Sequence, residues 1–384
     1  AQPRQGGADL ASLCRVWCDA CPSRRFATSR IAEILNVIAV LNDIKAQIRS
    51  AAHGGDKLAI HGAGSKAFYG EPLLGQPLDV SAYQGIVAYE PSELYLTARC
   101  GTPLVDIEQM LAETGQMLAF EAPHFAGATA GGCVASALAG PRRAYAGSVR
   151  DYVLGLKLID GHGDVLSFGG QVMKNVAGFD VSRFVVGSLG CLGVISEVTF
   201  KLAPLPVAET TLRFELDQAA AINKINRLAG QALPISASAW LEGQLWLRLS
   251  GAEPAVDAAR AQLGGEALPG AAIWSALREQ TLPLFAAPRL WRLSLPATTA
   301  PLVLPGPQII EWGGALRWLV SDADATHIRQ LVSLAGGHAT LYRGATPGQV
   351  FQPLVPALLQ LHQRLKQRFD PHLIFNPGRM YPEL

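Results

Sequence analysis

Apolar positions along the chain follow two different periods. Ile31, Ile34, Leu35, Ile38, Leu41, Ile44 and Ile48 recur at steps of three and four, which predicts an amphipathic helix opening near Ser29, a residue able to cap it. Gly54-Gly55 ends that run, and Lys57-Leu58-Ala59-Ile60 reads as a short strand running into a glycine-rich turn. Residues 153–159 and 165–168 predict a hairpin around the turn Asp160-Gly161-His162-Gly163-Asp164. The stretch 192–202 reads as a buried strand, closed by Pro204 and Pro206.

Between about 207 and 344 the pattern alternates. Strands are expected at 211–216, 237–241, 245–250, 290–295, 316–320 and 339–342, and helices at 218–229, 255–263 and 325–334. Trp240, Trp246, Trp291, Trp312 and Trp318 fall mainly on these strands and are expected in a core or interface. Leu354, Leu358, Leu361, Leu365 and Phe369 form a stripe at helical spacing, so a closing helix should pack back on the first half, with Lys366 and Arg368 on its solvated face. Strand–helix alternation with hairpins defines an α+β protein.

Composition narrows the class. A chain of 384 residues corresponds to roughly two to three domains. Lys plus Arg is 32 against 31 for Asp plus Glu, a net charge of +1, so no phosphate-tracking surface and no nucleic-acid partner is expected. With 49% apolar residues the chain is no disordered polymer, and 39 Gly with 25 Pro argue against a helical bundle. The most apolar window, 176–200, carries Asp180, Arg183 and Glu197, so no transmembrane segment is expected. Cys14, Cys18 and Cys21 have a spacing that can hold three corners of an iron–sulfur cluster, yet no other cluster-ligand run accompanies them. Residues 1–30 therefore read as a poorly ordered extension with incidental reduced thiols, and Cys100, Cys133 and Cys191 stand isolated. Ser23-Arg24-Arg25-Phe26 precedes an apolar segment as an export signal does, but Glu33 and Asn36 interrupt that segment, so export is rejected.

Two loops carry the candidate chemistry. His61-Gly62-Ala63-Gly64-Ser65-Lys66 lets backbone amides converge on an anion, although an ordinary tight turn reads the same way. It lacks the Walker A spacing, and Ala67 stands where a dinucleotide fingerprint needs its third glycine, so a nucleotide triphosphatase and a nicotinamide dehydrogenase both fit poorly. The second loop, Pro123 to Ser136, is nearly all small residues with Val134 packed among them, as when backbone presses against a flat ligand. Gly140-Pro141-Arg142-Arg143, Gly147-Ser148-Val149-Arg150-Asp151 and Lys174-Asn175-Val176-Ala177-Gly178-Phe179-Asp180 follow it. Arg142, Arg143 and Arg150 are candidate carboxylate anchors, because a guanidinium can grip a carboxylate with two bonds; phosphate or surface ion pairing stands beside that reading.

Taken together, HGAGS at 61–65, GATAGGCVAS at 127–136, GSVRD at 147–151, KNVAGFD at 174–180, GSLGCLGVISEVTFKL at 187–202 and the tail FDPHLIFNPGRM at 369–380 resemble the vanillyl-alcohol-oxidase/PCMH superfamily in its 2-hydroxy-acid dehydrogenase branch. Gly140 to Arg143 and the Leu290-Trp291-Arg292-Leu293 strand look most like the group of smaller FAD-binding subunits of bacterial glycolate oxidases. The resemblance implies an α+β fold: a two-lobed PCMH-type FAD-binding domain at 31–206, an α+β cap at 207–344, and a C-terminal segment, 345–384, returning to the FAD domain. It implies FAD held through Gly62, Ala63, Gly64 and Ser65, through Pro123, Gly127, Ala128, Thr129, Gly131, Gly132 and Ser136, and through Gly147, Gly193, Val194 and Ile195. Ser65 occupies the position of the flavin-linking histidine of some relatives, so non-covalent binding is expected. Implied partners are a larger FAD-containing glycolate oxidase subunit, an iron–sulfur subunit and a small 2-hydroxy acid, in a cytoplasmic complex peripheral to the inner membrane. Larger relatives carry a late Gly-Asp-Gly-Asn-x-His motif that helps hold a metal, where this chain has Gly336-Gly337-His338-Ala339-Thr340. No metal site is therefore expected, and His338 reads as a strand residue. Two readings remain: catalysis by this subunit, or an assembly or electron-relay subunit whose larger flavin partner carries the chemistry.

Overall fold

The computed structural model describes residues 22–171, 180–344 and 348–384. Cys14, Cys18 and Cys21, and residues 174–179 of the KNVAGFD motif, lie outside them. The chain divides into two compact units, 1–44 and 45–384. In the first, the described part belongs to α1 (Pro22–Gly54), which opens ahead of the expected cap at Ser29. Proline suits a first helical turn, where its missing N–H costs nothing. Of the expected apolar stripe, Ile34, Leu35 and Ile38 are exposed, whereas Ile44 and Ile48 are buried.

The second unit holds two main sheets. β1 (Leu58–His61) pairs in parallel with β2 (Gln76–Asp79). Then come β3 (Ile86–Glu90), β4 (Tyr95–Arg99), the short β5 (Gln116–Met117), the hairpin β6 (Val153–Ile159) and β7 (Val165–Gly169), β8 (Val194–Lys201) and β9 (Ala203–Pro204). Five of them form an antiparallel sheet in the order β3-β4-β8-β6-β7. β6 and β8 are buried almost end to end, as their apolar runs require, while the outer β7 alternates. Helices α2 (Leu104–Glu113) and α3 (Ala130–Ser136) contribute Ile107, Leu111, Cys133 and Val134 to the core formed with Leu96, Val153, Val198 and Phe200. The short α4 (Arg143–Ala146), α5 (Val149–Tyr152) and α6 (Val181–Val185) complete this half, with the Asp180 side chain capping α6.

The other half is an eight-stranded antiparallel sheet of β10 (Ala208–Glu215), β11 (Ile235–Leu241), β12 (Gln244–Gly251), β13 (Glu266–Leu268), β14 (Leu290–Ser294), β15 (Gln308–Glu311), β16 (Leu316–Val320) and β17 (His338–Arg343). Its helices are α7 (Gln218–Ala229), α8 (Glu253–Leu263), α9 (Ala271–Arg278) and α10 (Ala325–Leu334). The expected bounds of α7, α10 and β16 coincide with those observed. β15 and α9 had no periodic signal, since one is four residues long behind Pro305 and Pro307 and the other follows Pro269-Gly270. α7 and α8 pack Ala221, Ile225, Val256 and Ala259 on Leu212, Leu245 and Leu247. Around Trp274, Trp312 and Trp318, the sheet instead meets Leu138, Phe125 and Tyr69 from the first half. Trp291 is fully buried as well, and Trp240 and Trp246 are half-buried.

The closing helix, α11 (Pro356–Phe369), departs from its expected packing. Leu358 and Leu361 are exposed, and Lys366, expected in solvent, is buried. Its ammonium donates to Asp370 at 2.8 Å and to the carbonyls of Cys191 at 2.8 Å and Phe375 at 2.5 Å. A buried lysine is tolerated because each N–H meets an acceptor, one of them a carboxylate.

Candidate functional site

The first glycine loop follows β1 and is held from both sides. The amide of Ile60 donates to Asn376 Oδ1 at 2.7 Å, and Asn376 Nδ2 donates to the Leu189 carbonyl at 2.7 Å. Arg379, itself buried, donates to the carbonyls of Ala67 at 3.0 Å and Tyr69 at 2.6 Å. The amides of Gly62, Ala63, Gly64 and Ser65 have no hydrogen-bond acceptor among the described residues. These four neighbouring donors, two of them on exposed residues, are free to donate to a ligand or to water.

The second loop meets the first. A Cβ on Gly62 would come within 3.0 Å of Thr129 Oγ1, and Thr129 caps α3 by accepting from the Gly132 amide at 3.3 Å. Gly131 donates to the Cys100 carbonyl at 2.8 Å, so close that a Cβ there would sit 2.6 Å from Cys100 Cβ. Only glycine fits against that turn. Gly187 and Leu189 donate to the carbonyls of Val134 and Ala135, both at 2.9 Å, which straps the 187–190 segment to the end of α3.

These loops enclose a groove with about 580 Å³ of open space, mouth included, continuing into a second part of about 440 Å³. The groove brings together ten of the expected residues: Gly62, Ala63, Gly64, Ser65, Thr129, Gly131, Gly132, Ser136, Gly193 and Ile195. Pro123, Gly127, Ala128, Gly147 and Val194 do not line it. It also recruits Ile60, Lys66, Ala135, Leu189, Asn376 and Arg379, absent from the sequence-based set. For Asn376 and Arg379 a signal existed, because the tail motif at 369–380 contains both. Burial pushes the thiols of Cys100, which lines the groove, and Cys133 up to about 12, so both are neutral spectators at neutral pH.

A larger open cavity of about 1060 Å³ adjoins the groove at Leu189. Arg292 of β14 and His338 and Thr340 of β17 line it, on one face of the sheet because Arg292 is paired with Thr340 and Ser294 with His338. Arg292 has no carboxylate partner among the described residues and lies 5.3 Å from the Trp312 ring centroid. Burial, and then the Arg292 charge, hold the His338 imidazole below the ordinary histidine range, so it is neutral at pH 7.

The three candidate anchors have different surroundings. Arg142 is buried, ion-paired to Glu121 at 3.3 Å and Glu209 at 2.9 Å. Arg143 stacks 4.5 Å from the Trp312 ring centroid. Arg150 borders a separate apolar pocket with Phe184, Leu192 and Leu365. Among the described residues no cluster of three or more His, Cys, Asp or Glu side chains could hold a metal, and no helix is long and apolar enough to cross a membrane.

Two joined lobes, a groove of open amides and a sheet-walled cavity beside it define a PCMH-type FAD-binding oxidoreductase. Residues 38–169 match the FAD binding domain family. The chain is 51% identical over 340 residues to the glycolate oxidase subunit GlcE of Escherichia coli (strain K12), covering 88% of this chain and 96% of that protein. It belongs to that family, and its cofactor is FAD. It is also 31% identical over 151 residues to the glycolate oxidase subunit GlcD of Bacillus subtilis (strain 168), covering 39% of this chain but 32% of that one. Alkyldihydroxyacetonephosphate synthase shares the fold, with a TM-score of 0.61 at 14% identity over 88% of this chain and 74% of that one.

Proposed function

We propose that the protein is the FAD-binding subunit of a complex that oxidises a small 2-hydroxy acid, glycolate foremost, together with a larger flavin subunit and an iron–sulfur subunit. The observation that carries this reading is Arg292, which has no salt-bridge partner among the described residues and lines a cavity that shares Leu189 with the groove. The amides of Gly62 to Ser65 and the first turn of α3 hold the dinucleotide, without a covalent link. The flavin, when bound, supplies the electron-accepting chemistry. Arg292 grips the substrate carboxylate, and the neutral His338 beside it accepts a proton from the substrate hydroxyl.

The test is anaerobic addition of glycolate to the full chain, alone and with its partner subunits, following the visible flavin band. Bleaching is expected, and Arg292→Met should raise the half-saturating glycolate concentration by at least about tenfold, the value of one charge-assisted contact, with FAD content unchanged. An unaltered glycolate response in Arg292→Met removes the anchor. A second reading, an electron-relay or assembly subunit, is favoured by His338 being the one histidine among the described lining residues. In that case the isolated chain stays yellow with glycolate and is reduced only with the larger subunit present.

A further inference from the structure

Arg292 lines two cavities: the open one it shares with His338 and Thr340, and a smaller, more enclosed one of about 320 Å³. Glu311, Trp318, Arg278 and Gln280 also line the enclosed one. Register explains the meeting. Arg292 is paired across the sheet with Trp318, Trp318 with Ile309, and Glu311 follows Ile309 by two residues, which puts Arg292, Trp318 and Glu311 on one face. Trp318 Nε1 fixes the buried carboxyl by donating to it at 2.7 Å. A cation and a carboxyl group therefore share one wall, and neither has an ion-pair partner among the described residues. The other charges nearby are committed elsewhere: Arg278 to Glu279 at 2.8 Å, Glu121 to Arg248 and Arg142, and Arg143 to the Trp312 ring. Gln280 donates to the Tyr342 hydroxyl at 3.0 Å, while its Oε1, shielded from solvent, has no donor, so the enclosed space is polar on that side too. Burial raises the Glu311 carboxyl to about 7; the Trp318 bond and then the Arg292 charge oppose the rise, and Glu121 adds to it. Near neutral pH the group stands between its two states, and the surrounding charge decides which one it takes.

We propose that Glu311 is the resident counter-ion of Arg292, and that a carboxylate entering the open cavity takes over the guanidinium while Glu311 takes up one proton from solvent. This rests on the reading of Arg292 as the substrate anchor and adds a group which that reading does not use. Without a ligand, the charges of Arg292 and Glu311 balance. A ligand carboxylate would leave two negative charges around one cation in a poorly solvated space, and protonation of Glu311 restores the balance. Anion and proton are bound together. Glu311 is thus a positioning residue that acts through Arg292 and ties carboxylate affinity to pH.

The experiment titrates the full FAD-loaded chain with oxalate, a two-carbon carboxylate without an oxidisable hydroxyl, following the flavin band across pH. Calorimetry in two buffers of different protonation enthalpy counts the protons taken up. Wild-type affinity should fall about tenfold between about pH 6 and 8, with close to one proton taken up per oxalate at the upper end. Glu311→Gln keeps an acceptor for Trp318 and mimics the protonated form. It should bind oxalate about tenfold more tightly than wild type at about pH 8, with proton uptake and most of the pH dependence gone. A merely structural role predicts the opposite sign, weaker binding at every pH. His338→Gln should keep the wild-type slope above pH 7, because His338 is neutral there. Parallel pH profiles for wild type and Glu311→Gln, equal proton uptake by both, or weaker binding by the variant throughout would each overturn the assignment. If wild type binds no oxalate, or Arg292→Met binds it equally well, it is the anchor reading that fails.

Discussion

At the scale of single residues, burial rather than residue type sets the chemistry. Glu311 is buried at the end of β15, where burial pushes its carboxyl up to about 7 although Trp318 Nε1 donates to it at 2.7 Å and Arg292 pulls the other way. Its folded value lies above the unfolded one, so its contribution to stability is complete below about pH 4.5 and is lost as the pH rises to about 7. Glu311→Gln abolishes that titration. Stability of the variant relative to wild type should therefore rise by on the order of 3 kcal/mol between those limits, read from urea midpoints across pH. A difference that stays flat with pH would refute it. None of this was legible in the sequence: nothing in Gln308-Ile309-Ile310-Glu311 shows that the glutamate turns inward.

At the scale of elements, short-range pattern located the pieces but not always their faces. The stripe of α11 predicted a helix correctly, yet the side chain that anchors it is Lys366, through Asp370 and two carbonyls. Periodicity counts apolar residues and cannot see a lysine whose ammonium is turned inward, with one of its three acceptors the distant Cys191 carbonyl. Lys366→Met leaves Asp370 buried without its cation and should cost about 3–5 kcal/mol in chemical denaturation. Because Asn376 and Arg379 hang from this tail, FAD affinity should fall with it. A variant with native stability would mean that the ion pair is dispensable. In α3 the small residues serve packing, since Gly131 is glycine because its backbone lies against Cys100.

At the scale of the whole molecule, an ionic clamp ties loops of the first half to the eight-stranded sheet. Arg248 of β12 pairs with Glu121 at 2.9 Å, and Arg142 joins Glu121 to Glu209. Burial alone would raise the Glu121 carboxyl, but Arg248 and Arg142 hold it below the ordinary carboxylate range. The clamp thus contributes above the unfolded carboxylate pKa and is lost as pH falls through the lower folded value. Arg248→Met should cost about 3–5 kcal/mol at pH 7 and reduce the wild-type loss of stability in acid, as measured by denaturation at both pH values. An equal loss of stability in acid for both proteins would contradict the clamp. From sequence, Arg142 could be a substrate anchor or an ion-pair partner; the structure pairs it with two carboxylates, Glu121 and Glu209. By itself the sequence determined the α+β class and most strands, because glycine content, periodicity and turn chemistry act over a few residues. Only the tertiary structure decided which cations are buried in ion pairs, because charge balance in a protein interior depends on groups brought together from far along the chain.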